Sequence, residues 1–467
     1  MTELVTDRDV RDGFSADASG LVLVPEAVAR PSSAAEVAEI LREATSDRTA
    51  VTAAGGQTST TAASITDRGI LLSTRALDRV LDVDPAAPTA RVEAGVQIGD
   101  LQRTLAPHGL FFAPDPTSDR ECTVGGAIAC NASGPRTLRY GATRVHVRAL
   151  TVALADGRVI EVRRSGLEKN TVGYPPLQDL VDWFVGSEGT LGIVLAAELA
   201  LLRKPVVEIG LAIPFADEGQ ALAFVVAARE SAAVAPRCLE FLDREAASIA
   251  RGDGGASVWP EESGAIVYVE EARDDDPPLD AWLALAEQFG AATDHVNVFE
   301  GDGSLGVARR LRHAVPAQMH ERAVRYRGAG GRRISTDWAV PYRRLAGVVA
   351  EVRSRAAEAD LIPPVIFGHA GNGHPHCNYI GRDAAEVKKI EAVVERTLRD
   401  VVAEGGTVAA EHGIGKIKAK WLPLQFDATQ QRMLRAVKRE LDPLGILAPG
   451  NLINRRQFHV GRHDDQR

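Results

Sequence analysis

Cysteine is scarce in this sequence, and none of it is clustered. The four residues, Cys122, Cys130, Cys238 and Cys377, form no C-x-x-C pair, which argues against a disulfide framework, an iron–sulfur cluster or a Cys-rich zinc site. Any redox chemistry must therefore come from a bound cofactor. No apolar run approaches the roughly 18 residues of a membrane span. The opening MTELVTDRDVRD lacks the charged-then-apolar profile of a signal peptide, so a soluble cytoplasmic protein is expected. Positive charge is not in excess either. With 54 Lys plus Arg against 63 Asp plus Glu, a net charge of -9 argues against nucleic acid or an anionic membrane as the partner of the whole molecule. An Arg-rich run over 309–333 lacks the aromatic interleaving of a nucleic-acid groove. Also missing are G-x-G-x-x-G and the lysine of a Walker A loop, which leaves a nicotinamide Rossmann site or a nucleotide triphosphatase without support. What is present is length. The 467 residues, 45% hydrophobic, suffice for two or three domains, each with a sizeable core.

Periodicity gives an α+β chain. Over 34–45, Val37, Ile40 and Leu41 recur at helical spacing after the Ser32-Ser33 cap, which predicts a helix. Short strands are predicted over 50–52, 69–72, 90–93, 150–154 and 159–162, the last pair joined by the Asp156-Gly157 turn. An apolar strand over 193–202 ends at Lys204-Pro205, a boundary signal. Beyond it, helices over 219–232 and 278–289 alternate with a strand over 265–270. Helices over 384–404 and 428–441 follow.

Three glycine-rich segments stand out. The first, Ala54-Gly55-Gly56-Gln57-Thr58-Ser59, follows a strand-like stretch and offers side-chain-free positions and hydroxyls to a pyrophosphate; alone it reads equally as a tight turn. The others are Asp115-Pro116-Thr117-Ser118 leading into 123–132, and Gly186 to Val194. Small residues let a large planar ligand lie against the backbone, with Asn131 and Thr190 as hydrogen-bonding groups, which suits a flavin nucleotide. The ordered series GGQTS, PDPTS, VGGAIA-x-NA-x-GPR, RYG at 139–141, Lys169-Asn170 and GSEGTLGI resembles the FAD-linked oxidases of the vanillyl-alcohol-oxidase fold. Within them it is similar to the branch of D-lactate dehydrogenase, D-2-hydroxyglutarate dehydrogenase and the glycolate oxidase flavin subunit. The resemblance implies a two-subdomain, PCMH-type FAD-binding domain over 1–204, an inserted α+β substrate-binding cap over 205–407, and a C-terminal segment, 408–467, that completes the FAD and active site. It implies FAD held by Ala54, Gly55, Gly56, Gln57, Thr58, Ser59, Pro116, Thr117, Gly125, Gly126, Asn131, Gly134, Tyr140, Glu188, Gly189, Ile193 and Asn454, and the lack of His or Cys in the first loop makes non-covalent attachment the expectation.

A second constellation lies in VIFGHAGNGHPHCNYI, 365–380. Asn372-Gly373 predicts a two-residue hairpin turn, pairing 371 with 374, 370 with 375 and 369 with 376. His369 and His376 then oppose each other at about 5 Å between Cβ atoms, close enough to grip one divalent cation. The period of two puts His374 and Asn378 on the same face and Cys377 on the other. Glu411 and His412, in EHGIG, add a carboxylate and a further imidazole, a mixed N/O set that suits zinc, manganese or iron, with zinc or manganese ahead of iron. These segments are similar to the family motifs G-H-x-G-D-G-N-x-H-x-N and E-H-G-I-G. The resemblance makes His369, His376 and Glu411 metal ligands and His412 the catalytic base. Asn372 stands where the family has Asp, and His374, where it has Asn, is a candidate extra ligand.

A 2-hydroxy acid calls for a cation to hold its carboxylate. The stretch Leu311-Arg312-His313-Ala314-Val315-Pro316 resembles the family's carboxylate-binding segment, which implies Arg312 as a catalytic and substrate residue, with Asn378 beside it. The family's Lys ahead of the Asp-x-x-Val-Pro segment is replaced by Ser335, which tilts the expectation toward D-lactate-like monocarboxylates. The expected activity is FAD-dependent, metal-assisted oxidation of a D-2-hydroxy acid to the 2-oxo acid: the metal acidifies the hydroxyl, His412 takes its proton, and hydride passes to flavin N5. Two alternatives stand beside it, a glycolate oxidase type of flavin subunit within a multi-chain complex and a flavin-binding electron-transfer subunit with no substrate of its own. Expected partners are the hydroxy acid, an electron acceptor (quinone, cytochrome or electron-transferring flavoprotein) and, for assembly, a second copy in a homodimer; no nucleic acid and no membrane span are expected.

Overall fold

The computed structural model describes residues 3–254 and 259–453. The chain divides into two compact units. One comprises Met1–Gly134, Gly141–Lys204 and Glu411–Arg467, the other Pro135–Tyr140 and Pro205–Ala410.

In the first unit β1 (Ala27–Ala29), β2 (Val51–Ala54) and β3 (Ile70–Ser73) form a parallel sheet in the order β1-β3-β2. Parallel strands need covering, and the helix Ala34–Asp47 supplies it by burying Val37, Ile40, Leu41 and Ala44. Ser33 starts that helix by accepting the Glu36 N–H, and Arg48, at φ 57°, ends it in the left-handed region. Seven strands follow: β4 (Val80–Asp84), β5 (Thr89–Glu93), β6 (Leu110–Phe111), β7 (Val147–Ala153), β8 (Val159–Arg163), β9 (Ile193–Ala200) and β10 (Leu202–Arg203). Five of them make an antiparallel sheet, β4-β5-β9-β7-β8, while β6 and β10 pair separately. The tail returns to this unit, where Leu447 bridges in parallel to Val51 on the edge of the first sheet.

The second unit is built on one seven-stranded antiparallel sheet, ordered β14-β11-β13-β12-β16-β17-β15. Its strands are β11 (Val207–Phe215), β12 (Pro236–Asp243), β13 (Ala265–Arg273), β14 (Asn297–Glu300), β15 (Gly330–Ser335), β16 (Val365–His369) and β17 (His374–Asp383). Both faces are covered, so the central strands read as apolar runs rather than alternations. The helices Arg244–Gly254 and Gly301–Val324 pack on the face that carries Ala212, Cys238, Leu242, Ile266, Phe367 and Ile380. On the opposite face Phe224 and Trp282, from two other helices, pack in an aromatic chain with Phe215.

The hairpin at 365–383 departs from its expected register. His369 pairs with His374, Gly368 with Pro375 and Phe367 with His376, so the loop has four residues, 370–373, and the expected pairing of 369 with 376 is shifted by two. The physical reason is backbone conformation. A type I′ turn needs positive φ at both Asn372 and Gly373, but only Gly373 has it, at 69°, after a short 3-10 turn over Ala370–Asn372. The loop is then pinned: the Gly373 carbonyl accepts the Val340 N–H at 3.0 Å, and the Arg229 guanidinium donates to the Gly371 carbonyl. A slip of two keeps every side chain on its face.

Candidate active site

The glycine-rich segments of the first unit converge. A Cβ on Gly55 would collide with the Thr123 hydroxyl and one on Gly56 with the Glu121 carbonyl, so the loop after β2 lies directly against the start of the helix Val124–Cys130. Gly125 and Gly126 occupy that helix's first turn. Asn131, at φ 51°, ends it, and its Oδ1 accepts from the Arg144 N–H at 2.9 Å. Gly186 and Glu188 donate their N–H groups to the carbonyls of Ile128 and Ala129, which brings in the third segment. Gly189 lies in that segment and Ile193 opens β9, while Pro116 and Thr117 belong to the loop ahead of Thr123. Gly134 packs so closely on the Asp115 backbone that a side chain there would clash.

This cradle passes a test for a bound dinucleotide. Among the described residues, no protein acceptor takes the backbone N–H groups of Gly55, Gly56, Gln57 and Thr58. The Arg75 guanidinium meanwhile holds the carbonyls of Gly55 and Gly56, at 2.9 and 3.1 Å. N–H groups without protein partners at the end of a strand are what a pyrophosphate requires. Two candidates fall elsewhere. Tyr140 is in the second unit, in the segment Pro135–Tyr140, and Asn454 lies outside the described residues.

Glu188 has a more specific task than its place in the glycine series suggested. It is buried with φ 51°, and its carboxylate accepts the N–H groups of Ile414 and Gly415 at 2.6 and 2.7 Å. Burial pushes its pKa up against those two hydrogen bonds. Glu188 therefore fixes the backbone of the EHGIG segment, and Thr61 adds a hydroxyl bond to the His412 carbonyl at 3.3 Å. No helix starts at Glu411 and His412.

In the second unit His369, His374 and His376 share one buried face. Their ring centroids are 5.3 Å (369–374), 5.4 Å (369–376) and 4.6 Å (374–376) apart, and their ligand atoms lie within 4.8 Å of one another. Two carboxylates back them. Nδ1 of His369 is 2.6 Å from Oε1 of Glu240, and Nε2 of His374 is 3.1 Å from Oδ1 of Asp337. A carboxylate on one ring nitrogen fixes the tautomer and leaves the other as the ligand atom, the arrangement found behind metal-bound histidines. The donor set thus fits a divalent cation. Asn378 is buried on the same face, its amide donating to the His376 carbonyl at 3.1 Å. Cys377 points to the other face, where burial pushes its thiol up to about 12, so it supplies no ligand.

Arg312 comes from the helix Gly301–Val324 and is ion-paired to Glu240, with Nη2 3.4 Å from the His369 ring. Sequence reasoning missed Glu240 and took Asp337 only as part of a motif. The available signal for Glu240 was an acid on the core-facing parity of an otherwise apolar strand, Cys238-Leu239-Glu240-Phe241-Leu242.

Comparison with known proteins agrees with this geometry. A model described as an FAD binding domain matches residues 25–163, and one described as the C-terminal domain of FAD linked oxidases matches residues 204–452. The chain belongs to the FAD-linked oxidases. This oxidase is 32% identical to the glycolate oxidase subunit GlcD of Bacillus subtilis, over 92% of its own length and 89% of the relative's. To the D-lactate dehydrogenase of Archaeoglobus fulgidus it is 31% identical, covering 95% and 96%. To the D-2-hydroxyglutarate dehydrogenase of Xanthomonas citri it is 30% identical, covering 92% and 89%. A solved alkyldihydroxyacetonephosphate synthase shares the fold at a TM-score of 0.72 and 16% identity, over 96% of this chain and 83% of that one. The PCMH-type architecture and the character of an FAD-dependent oxidoreductase follow. No helix among the described residues of this oxidase is long and apolar enough to cross a membrane.

Proposed function

We propose that the chain oxidises the CH–OH group of a D-2-hydroxy acid, of which D-lactate is a small example, to the 2-oxo acid. The observation that carries this reading is the buried face shared by His369, His374 and His376, two of them backed by carboxylates. Relatives named for glycolate, D-lactate and D-2-hydroxyglutarate, all 2-hydroxy acids, support it. When bound, FAD takes up the hydride at N5, and a divalent cation, zinc or manganese ahead of iron, acidifies the substrate hydroxyl.

The remaining work belongs to the side chains. The N–H groups of 55–58 bind the pyrophosphate. His369 and His376, with Glu411, hold the cation, and Glu240 keeps the proton on Nδ1 of His369. Glu411 and His412 follow directly after Ala410, whose N–H is fixed on the Asp337 carbonyl at 2.8 Å. His412 accepts the hydroxyl proton, Arg312 binds the carboxylate, and the Asn378 amide orients the acid. The acceptor for the flavin's electrons would be a quinone, a cytochrome or an electron-transferring flavoprotein. A second reading, the flavin subunit of a multi-chain complex, is favoured by the relative named a glycolate oxidase subunit.

Anaerobic mixing with D- and L-2-hydroxy acids and glycolate, alongside elemental analysis, is the test. The expected result is bleaching of the flavin by D-2-hydroxy acids, abolished by chelation and restored by one divalent ion. His412→Ala is expected to keep FAD and metal while slowing flavin reduction at least 100-fold, within the usual worth of a general base. Bleaching by no member of the panel, or at the wild-type rate in the variant, sinks the reading or the base respectively.

A further inference from the structure

Arg333 is a partly buried cation that the mechanism above leaves unused. It stands on β15, where Arg333 pairs with Ile380 and Ser335 with Asn378. Paired residues share a face, so its side chain rises on the face that also carries Asn378, His376 and His374. Nε and Nη2 both donate to the same atom, Oδ1 of Asn378, at 2.8 and 2.5 Å, and Nη1 donates to the Pro316 carbonyl at 3.2 Å.

All of these acceptors are neutral. That separates Arg333 from Arg309, Arg312 and Arg332, which are paired with Glu270, Glu240 and Glu391. Burial brings the Arg333 guanidinium down to about 10, and among the described residues no carboxylate offsets it. Two of its N–H groups crowd onto one amide oxygen, although the guanidinium edge is shaped for the two oxygens of a carboxylate. An arriving carboxylate replaces bonds to neutral oxygens with bonds to an anion and neutralises a charge that is partly withdrawn from water. The position is also suitable. Asn378 is two residues along β17 from His376, about 6.5 Å in Cα spacing, which is the reach of a five-carbon acid.

We propose that Arg333 is a specificity-determining residue that binds a second carboxylate, at the far end of a 2-hydroxy acid whose hydroxyl end lies at the imidazoles. This rests on the reading of the site as a 2-hydroxy-acid site. It makes 2-hydroxy dicarboxylates the preferred substrates. Ser335 leaves its own position without charge, but Arg333, two residues earlier on the same face, brings a cation to it.

The test compares pairs of acids that differ only in the distal group, using purified protein with FAD and metal. D-2-hydroxyglutarate and D-2-hydroxyvalerate are compared by the substrate dependence of anaerobic flavin reduction, and the unreactive pair glutarate and valerate by calorimetry. In the wild type the diacid of each pair should bind at least tenfold more tightly, the usual worth of a charge-assisted bond. That ratio should collapse toward one in Arg333→Gln and be partly kept in Arg333→Lys, with FAD and metal content per chain unchanged. A wild-type ratio near one, or a ratio that survives Arg333→Gln, overturns the proposal; if the Gln variant fails to fold, the wild-type ratio and the Lys variant decide. If no hydroxy acid bleaches the flavin, the proposed function fails, while the glutarate–valerate comparison still tests Arg333.

Discussion

At the scale of single residues, two side chains of the proposed site are tied together by one acid. Glu240 is 1% exposed and serves both His369 and Arg312. With both partners in place its burial costs little; with one removed, the other is stranded. Glu240→Gln keeps the shape and an acceptor oxygen but loses the charge that holds the proton on Nδ1. It should weaken metal binding about 10- to 100-fold, the usual cost of losing such a carboxylate, as measured by equilibrium dialysis against a competing chelator. Glu240→Ala also leaves the Arg312 guanidinium buried without its carboxylate, and should lower stability by about 3–5 kcal/mol in chemical denaturation. An unchanged metal affinity in the Gln variant would show that Glu240 serves only Arg312. That three imidazoles share a face was legible in the sequence, because His369, His374 and His376 keep it in any register of even offset. Glu240 was not, since nothing local distinguishes an acid that will be partnered 129 residues later.

At the scale of elements, the periodic segments were legible and the irregular ones were not. The helix expected over 34–45 runs Ala34–Asp47, that over 428–441 runs Ala428–Leu441, and the strand expected over 159–162 is Val159–Arg163. Each combines a clean apolar period with a cap or turn signal. The 24-residue helix Gly301–Val324 was missed. Its buried stripe, Leu305, Ala308, Arg312, Val315, Met319 and Ala323, keeps helical spacing, but a cation sits within it and Pro316 interrupts its hydrogen bonding. The hairpin turn failed differently: Asn-Gly chemistry was present, but the loop's fit against Val340 and Arg229 overrode the local preference. Gly373 is where that override is concentrated, since its φ is 69° and a Cβ there would run into the Val340 carbonyl. Gly373→Ala should therefore destabilise the fold by about 1–3 kcal/mol and lower metal content, because His374 follows at once. Thermal melting with metal analysis checks it, and a variant as stable and as metal-loaded as the wild type would mean that the loop is not what sets the register.

At the scale of the whole molecule, the first unit is assembled from the two ends of the chain. The C-terminal segment returns after the second unit is complete, and side chains with no sequence neighbours in common hold it there. Asn451 donates to the Ala63 and Glu188 carbonyls, and Lys416 reaches the Ala62 carbonyl and Asn451. The tightest of these ties is Lys438, whose ammonium donates to the Thr190 carbonyl at 2.6 Å, to Asp442 at 2.5 Å and to the Leu447 carbonyl at 3.0 Å. Asp442 in turn accepts the N–H groups of Ile446 and Leu447 at 3.0 and 2.8 Å, which sets up the bridge to Val51. The amphipathic pattern of Ala428–Leu441 gave no sign that its lysine faces inward. Burial pulls the Lys438 pKa down while Asp442 holds it up, so the pair stands or falls together. Lys438→Met strands the Asp442 carboxylate and two carbonyls and should cost about 3–5 kcal/mol. Because Thr190 adjoins the glycine-rich segment of the cradle, the loss should appear as earlier release of FAD on heating, read as the rise in flavin fluorescence. Adding Asp442→Asn removes the stranded charge, so the double variant should recover part of the lost temperature. If the double variant releases FAD no later than Lys438→Met alone, the tie acts through the lysine's bonds to Thr190 and Leu447 rather than through charge pairing.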